Sequence, residues 1–155
     1  MGESWKTRLL RWRLNLFPAY RGTGAHIISI CSDYSQVRIA LPLGWRTKNH
    51  YGAIFGGSIY AAVDPVYVMM LIFCLRRNDI RIWTKSSTIH FKKPGRCHLY
   101  ATFVLTEPEI HEIHQLLNTS DKVDRQYLTH LVDRHGEIYA EIEQIVSIRK
   151  RTTQA

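Results

Sequence analysis

Residues 56–76 read GGSIYAAVDPVYVMMLIFCLR, and this stretch decides the fold. Two glycines open it, an arginine closes it, and the one charged side chain between them is Asp64. As a helix it would be about 30 Å long at ~1.5 Å rise per residue. It is apolar on nearly every face, so the rest of the chain must enclose it. Its most apolar run, Val66 to Leu75, is too short to cross a bilayer, and Asp64-Pro65 stands directly before that run. Pro65 removes one helical hydrogen bond, freeing the Ala61 carbonyl, and should kink the helix there.

Immediately upstream, KNHYGAIFGG (48–57) is a loop with three glycines. Further back, residues 25–33 and 36–47 read as strands. Val37, Ile39, Leu41 and Leu43 alternate with Arg38, Ala40 and Pro42, the periodicity of a half-buried strand. Pro42 points to an edge or a bulge. Downstream, residues 80–93 run to a Lys93-Pro94-Gly95-Arg96 turn, and 97–106 form the return strand. Residues 108–118 form a short helix with Ile110, Ile113 and Leu117 on one face. Residues 124–133 and 137–149 form a second hairpin through Arg134 to Glu137, where Gly136 suits a positive φ. An antiparallel sheet needs its apolar face covered, and one central helix supplies the cover. The fold class is therefore α+β, with the sheet wrapped around one long helix in a single domain spanning 21–150.

Residues 1–20 add an N-terminal helix. Trp5, Leu9, Trp12 and Leu16 share one stripe, Leu10, Leu14 and Phe17 make a second, and Pro18 ends the helix. Two stripes point to a helix covered on two sides, by its own domain or by a second subunit. A basic, Trp-bearing helix also fits contact with a membrane surface. Arg8, Arg11 and Arg13 break up the apolar run that a signal peptide would need.

The chain has 155 residues, 45% hydrophobic and 22% charged, enough apolar content to bury a core and too much for disorder. A formal net charge of +8 favours an anionic partner, such as a nucleic acid, an acidic membrane or a phosphorylated small molecule. No aromatic-basic RNA-binding signature is present, which argues against nucleic acid. Cys31, Cys74 and Cys97 lie far apart without a CxxC, the usage of a reducing, cytoplasmic compartment. His111 and His114 are three apart rather than the four of a zincin helix, so no metal site is expected.

The residues with chemical potential cluster around the helix start. Asp64 is costly in apolar surroundings unless it is paired or put to use. It is either a functional carboxylate or a structural one, paired with Lys85 or satisfying backbone at the kink. Gly56 and Gly57 leave helix-terminal N–H groups uncovered, able to hold a developing oxyanion or a thioester carbonyl. They also suit a tight entry into the helix. The side-chain amide of Asn49 positions either a water or its own turn. Strict alternation would set Thr84, Ser86, Thr88 and His90 on one face of their strand and Lys85, Ser87, Ile89 and Phe91 on the other.

Taken together, NHYGAIFGG (49–57) followed by Asp64 resembles the active-site signature of hotdog-fold acyl-CoA thioesterases of the phenylacetyl-CoA thioesterase type. Their pattern is an Asn, a Gly three later, then His-Gly-Gly, and an Asp seven residues after the second Gly; the spacing here matches throughout. The wider wording, LPLGWRTKNHYGAIFGGSIYAAVDP (41–65) followed by IWTKSSTIHFKKPGR (82–96), is similar to a thioesterase-like hotdog subfamily, over about residues 25–148.

The resemblance implies paired subunits whose sheets join, with each active site at the dimer interface. It implies Asp64 as nucleophile or general base, Gly56 polarising the thioester carbonyl through its N–H, Asn49 orienting water or carbonyl, and Thr84 assisting the water. Phe55 stands where the family has His, and with Gly57 it would border the substrate. Lys85 would face Asp64 and lower its pKa. Arg46, Lys48, Lys92, Lys93 and Arg96 would meet the phosphates of coenzyme A, which enters as part of the substrate; no separate cofactor is implied. The implied function is hydrolysis of a hydrophobic acyl-CoA by carboxylate-assisted attack of water. The alternative is a non-catalytic module, a homodimer or dimer of dimers, that binds acyl-CoA or a fatty acyl group. A hotdog dehydratase or hydratase would need a His paired with a carboxylate, and no His stands near Asp64 in the motif.

Overall fold

A computed structural model describes residues 2–151; Met1 of the expected N-terminal segment lies outside the described residues. The chain runs α1 (Trp5–Leu16), α2 (Pro18–Gly22), β1 (His26–Ile30), β2 (Gln36–Leu41), α3 (Gly56–Leu75), β3 (Ile80–Phe91), β4 (Leu99–Val104), α4 (Glu107–Thr119), β5 (Lys122–Val132) and β6 (Ile138–Lys150). The six strands form one antiparallel sheet in the order β1-β2-β4-β5-β6-β3. Strands β4 and β5 meet in register only at Tyr100 and Val132. The sheet is therefore two three-stranded halves joined at a narrow seam, and it wraps α3.

Helix α3 runs through Pro65 without a break and stops at Arg76, which takes a left-handed conformation. Its inner side carries Ile59, Ala62, Val63, Val66, Tyr67, Met70 and Leu71, three and four apart as a single buried helix face requires. Tyr67 stacks on Tyr127 at 4.0 Å and meets the edge of Phe103 at 5.1 Å, which locks the helix to β5 and β4. The enclosure is one-sided, however. Tyr60, Pro65 and Ile72 stay exposed on the flank away from the sheet. Among the described residues α3 is the one helix long and apolar enough to cross a membrane, and here it forms the core against which the sheet packs.

Two expectations about the strands are corrected. Residues 97–106 are not the hairpin partner of 80–93: β4 pairs with β2 and β5, whereas β3 pairs along its length with β6. The segment after Phe91 is a crossover rather than a tight turn, and Gly95 accepts a hydrogen bond from the Ile54 amide at 2.9 Å. Pro42 marks neither an edge nor a bulge, since β2 lies between β1 and β4 and ends at Leu41. The hairpin β5–β6 does form, with Gly136 at φ +86 in its turn.

The N-terminal segment divides at Pro18, which closes α1 and opens α2. Helix α1 is pinned to β1. Asn15 exchanges two hydrogen bonds with the Ile27 backbone, at 2.7 and 3.0 Å, and Glu3 accepts from the Ile30 amide at 3.0 Å. Ser4 and Thr7 form a capping box at its start. Only the Leu10–Leu14 stripe packs inward; the Trp5–Leu16 stripe faces outward, so among the described residues of the single chain nothing gives the expected cover on the second side.

Met70 is fully buried between α3 and the sheet. Met70→Ala should lower unfolding stability by about 2–5 kcal/mol, through lost transfer energy plus the cavity left behind. Chemical denaturation measures it, and a loss under about 1 kcal/mol would mean that the sheet closes around the gap.

Candidate active site

The site is organised by the two ends of α3's first half. At the N-terminus, Phe55 is the cap residue, and its side chain offers no oxygen to the first turn. Among the described residues no group accepts the Gly56 or Gly57 amide, so two N–H donors stand open at the positive end of the helix dipole. A Cβ at 56 would lie 3.0 Å from the Phe91 ring, tighter than ordinary contact, so the exposed ring would have to shift to admit one. Phe55 in turn lays its ring over Gly57, and its amide donates to Thr47 at 2.7 Å. Asn49 holds the loop: its Oδ1 accepts from the Tyr51 and Ala53 amides at 2.9 and 3.1 Å. That oxygen is committed to the turn.

Asn49, Gly56 and Ile59 line a cleft of about 600 Å3, closed on the other side by Phe91, Lys93 and Arg96. Lys93 is ion-paired to Glu137 and lies 4.7 Å above the Tyr139 ring. The expected cations divide here. Lys92, Lys93 and Arg96 border the cleft, whereas Arg46 lies elsewhere, donating to the Arg21 carbonyl at 2.8 Å beside α2. Lys48 forms a backbone bridge with Ile54, and its side chain is exposed.

Asp64 lies two turns further along, about 12 Å from Gly56 at ~1.5 Å per residue. Its surroundings are apolar on one side only: it is half-buried and lines a pocket of about 380 Å3 between α3 and the α1–α2 corner. Leu14, Phe17, Tyr20, Tyr60, Pro65 and Met69 make up much of that wall. Tyr60, one turn before Asp64, donates its hydroxyl to the carboxylate at 3.3 Å. The Asp64 backbone carbonyl accepts from Thr84 Oγ1 at 3.2 Å and from Gln144 Nε2 at 3.4 Å. Thr84 thus touches the backbone of the candidate catalytic residue rather than its carboxylate. The buried Tyr20 hydroxyl donates to the Ala62 carbonyl at 3.3 Å, and burial raises its pKa.

Lys85 does not face Asp64. A β-bulge between Thr84 and Ser86 inserts one residue into β3, and the alternation changes phase across it. Ile82 and Thr84 point inward before the bulge; Ser87 and Ile89 point inward after it. The expected grouping of Thr84 with Ser86, Thr88 and His90 is therefore corrected. Lys85 emerges on the outer face and bridges to Asp124 at 2.8 Å, joined by Lys122 at 3.1 Å. It neither neutralises Asp64 nor borders the candidate site of its own chain.

Sequence reasoning missed Tyr60, Tyr20, Met69 and Gln144. Tyr60 was visible as the residue four before Asp64. Gln144 was visible as the polar member of the inward series Ile142, Gln144, Val146. The remaining thiol chemistry is weak: burial, and then the Asp33 carboxylate, push the Cys74 thiol up to about 11, away from a nucleophilic thiolate.

A sheet wrapped around one long helix, with open amides at the helix start and a carboxylate two turns on, defines a hotdog domain. Residues 6–146 match the family described as a domain of unknown function (DUF4442), and the chain belongs to that family. No curated protein matches. The fold is shared with a protein of unknown function, described as a probable thioesterase, from Pseudomonas aeruginosa (PA5026), at TM-score 0.82 and 18% identity, covering 97% of this chain and 99% of that one. It is shared also with the thioesterase HI1161 of Haemophilus influenzae, at TM-score 0.70 and 12% identity over 99% and 98% of the two chains. The E. coli PaaI protein of the phenylacetic acid degradation operon aligns at TM-score 0.61 and 14% identity over 96% and 93%.

The Lys85–Asp124 contact gives a measurable check on the bulge. The Lys85 ammonium holds the Asp124 carboxyl well below the usual carboxylate range. A depressed carboxyl stabilises the fold above its unfolded value of about 3.9 and loses that contribution as pH falls through its folded value. Both side chains are partly exposed, so the effect is small. Asp124→Asn should lower the melting temperature by about 1–3 °C at neutral pH. The difference from wild type should shrink as the pH is taken below about 4, as thermal melts across a pH series would show.

Proposed function

We propose that the chain is a thioester hydrolase acting on an acyl-CoA with a hydrophobic acyl group. The observation that carries this reading is the placement of Asp64 on the wall of the apolar pocket between α3 and the α1–α2 corner. A carboxylate on the wall of an apolar pocket is placed to handle a proton or a nucleophile there. The pocket would take the acyl chain. The open Gly56 amide would receive the thioester oxygen, and the cleft with Lys93 and Arg96 would face the phosphates of coenzyme A.

In this reading Asp64 takes a proton from water as the water oxygen bonds to the thioester carbon. The negative charge that develops on the carbonyl oxygen is held by the helix-terminal amide. Collapse of the tetrahedral intermediate breaks the carbon–sulfur bond, and the proton returns from Asp64 to the departing thiolate. The products are a carboxylic acid and free coenzyme A. Thr84 and Gln144 hold the Asp64 carbonyl, and Tyr60 orients its carboxylate, so the three act on its position.

Gly56 and Asp64 are too far apart in one subunit to act on one carbonyl. A homodimer answers this by pairing Gly56 of one subunit with Asp64 of the other. Two features support it: β3 has one neighbour in the sheet, which leaves its other edge open, and α3 keeps an apolar flank of Tyr60, Pro65 and Ile72.

A second reading, a module that binds acyl-CoA without cleaving it, is favoured by one observation. Phe55 supplies an apolar ring at the helix start where the resembling enzymes have His, so this position offers no imidazole to a substrate.

A thiol-release assay over acyl-CoAs of increasing chain length separates the two readings. Asp64→Asn should cut hydrolysis by roughly 10²–10⁴-fold while the protein stays folded. Unchanged turnover in the folded variant would remove Asp64 from the chemistry, and a wild type that binds but releases no thiol would favour the module. Phe55→His should shift preference toward smaller or more polar acyl groups, by about 1–3 kcal/mol per well-placed apolar contact in specificity constant. Sedimentation at micromolar concentration should give a dimer or larger; a stable folded monomer would contradict the shared site.

A further inference from the structure

Helix α1 has two apolar faces, and the fold uses one. At about 100° per residue, Thr7, Leu10 and Leu14 fall on the side that meets the domain. Trp5, Leu9, Trp12 and Leu16 fall together on the opposite side, and they are 72%, 54%, 58% and 60% exposed. Phe17, exposed as well, extends the stripe at the corner into α2. Single exposed apolar residues need no explanation, but five contiguous ones do.

The helix cannot turn this stripe inward. The paired bonds between Asn15 and Ile27, the Glu3–Ile30 bond and the Ser4–Thr7 capping box fix its rotation on β1. The charges decide what covers it. Lys6 and Arg13 flank the stripe on one side and Arg8 on the other, all three exposed. From Ser4 to Ser32 the chain has no Asp or Glu. The nearest acid, Glu3, is spent on Arg11 at 2.8 Å and on the Ile30 amide. Arg21 adds a further cation at the end of α2. Two copies meeting through this face would bring like charges together. The dimer edge argued above is β3, at the far side of the sheet from β1, where α1 sits.

An apolar stripe carrying tryptophan, bordered on both sides by cations, matches the interface of a bilayer with anionic headgroups. Trp and Leu enter the acyl boundary, while Lys and Arg reach outward to phosphate. We propose that α1 docks the protein, in the plane of the surface, on an anionic lipid membrane. The inner side of the same helix supplies Leu14 to the apolar pocket beside Asp64, and Phe17 borders both stripe and pocket. Docking therefore brings that pocket to within about one helix diameter, ~10 Å, of the lipid surface, with Phe17 at the shared corner. This assignment holds whether or not a thioester is cleaved there.

The experiment is co-sedimentation of the full-length protein with vesicles of phosphatidylcholine, with and without phosphatidylglycerol, read together with tryptophan fluorescence. The expected result is binding to the phosphatidylglycerol vesicles with a blue shift, weakened by added salt. Leu9→Ser/Trp12→Ser should reduce binding by about tenfold or more. Arg8→Gln/Arg13→Gln, which leaves the stripe intact, should reduce it by about fivefold per cation. The four positions are exposed, so circular dichroism should show the wild-type fold in both variants. Absence of binding to anionic vesicles at low salt overturns the proposal, as does binding that the stripe variant retains. A stripe variant that instead falls to a smaller assembly in sedimentation assigns the face to a second copy and overturns it too.

Discussion

A twenty-residue helix that is apolar on almost every face imposes the main constraint on this chain. Buried apolar area is the dominant favourable contribution to folding, and α3 holds a large share of it in one continuous element. Six antiparallel strands curl around one side of it through the narrow β4–β5 seam. Tyr67, stacked on Tyr127 and edge-on to Phe103, fixes the depth at which the helix lies. The remaining side is covered only in part, by the α1–α2 corner. That incomplete cover creates the pocket beside Asp64 and leaves the flank that a second subunit would fill.

The candidate site follows from the same constraint. A helix anchored by its apolar face holds its N-terminal amides and Asp64 at a fixed separation, which in the proposed dimer would let each serve a different subunit without flexible parts. The polar groups that reach Asp64 come from the helix itself, through Tyr60, and from two sheet positions, Thr84 and Gln144. Gln144 has no exposed surface, and among the described residues its side-chain oxygen has no hydrogen-bond partner. A buried polar side chain in that state is costly, and here its amide is spent on the carbonyl at the Asp64–Pro65 step. The sheet thus holds the helix at the Asp64–Pro65 step, one turn after the Ala61 carbonyl that proline leaves free.

The outer stripe of α1 belongs to a different energetic regime. Nothing in the core depends on Trp5, Leu9, Trp12 or Leu16, and their exposure is a cost that a monomeric folded domain could avoid with polar residues at the same positions. The cations beside them keep that surface from closing on another copy of itself. The helix thereby serves the core with one face and an external partner with the other.

What the sequence determined by itself was local. The long helix with its boundaries, the β5–β6 hairpin with Gly136 in its turn, the end of α1 at Pro18 and the spacing from Asn49 through Gly56 to Asp64 all follow from periodicity, turn chemistry and covalent distance along the chain. The pairing of β3 with β6 rather than β4 was decided only in three dimensions, because strand pairing is settled by the side chains that meet across the sheet and not by the turn that follows a strand. The same holds for the bulge at Lys85, which reversed the phase of β3 and sent that lysine to Asp124. It holds also for the choice of which α1 stripe faces inward. The two stripes have similar composition, and the bonds from Asn15 and Glu3 to β1, between residues distant in the sequence, selected one of them.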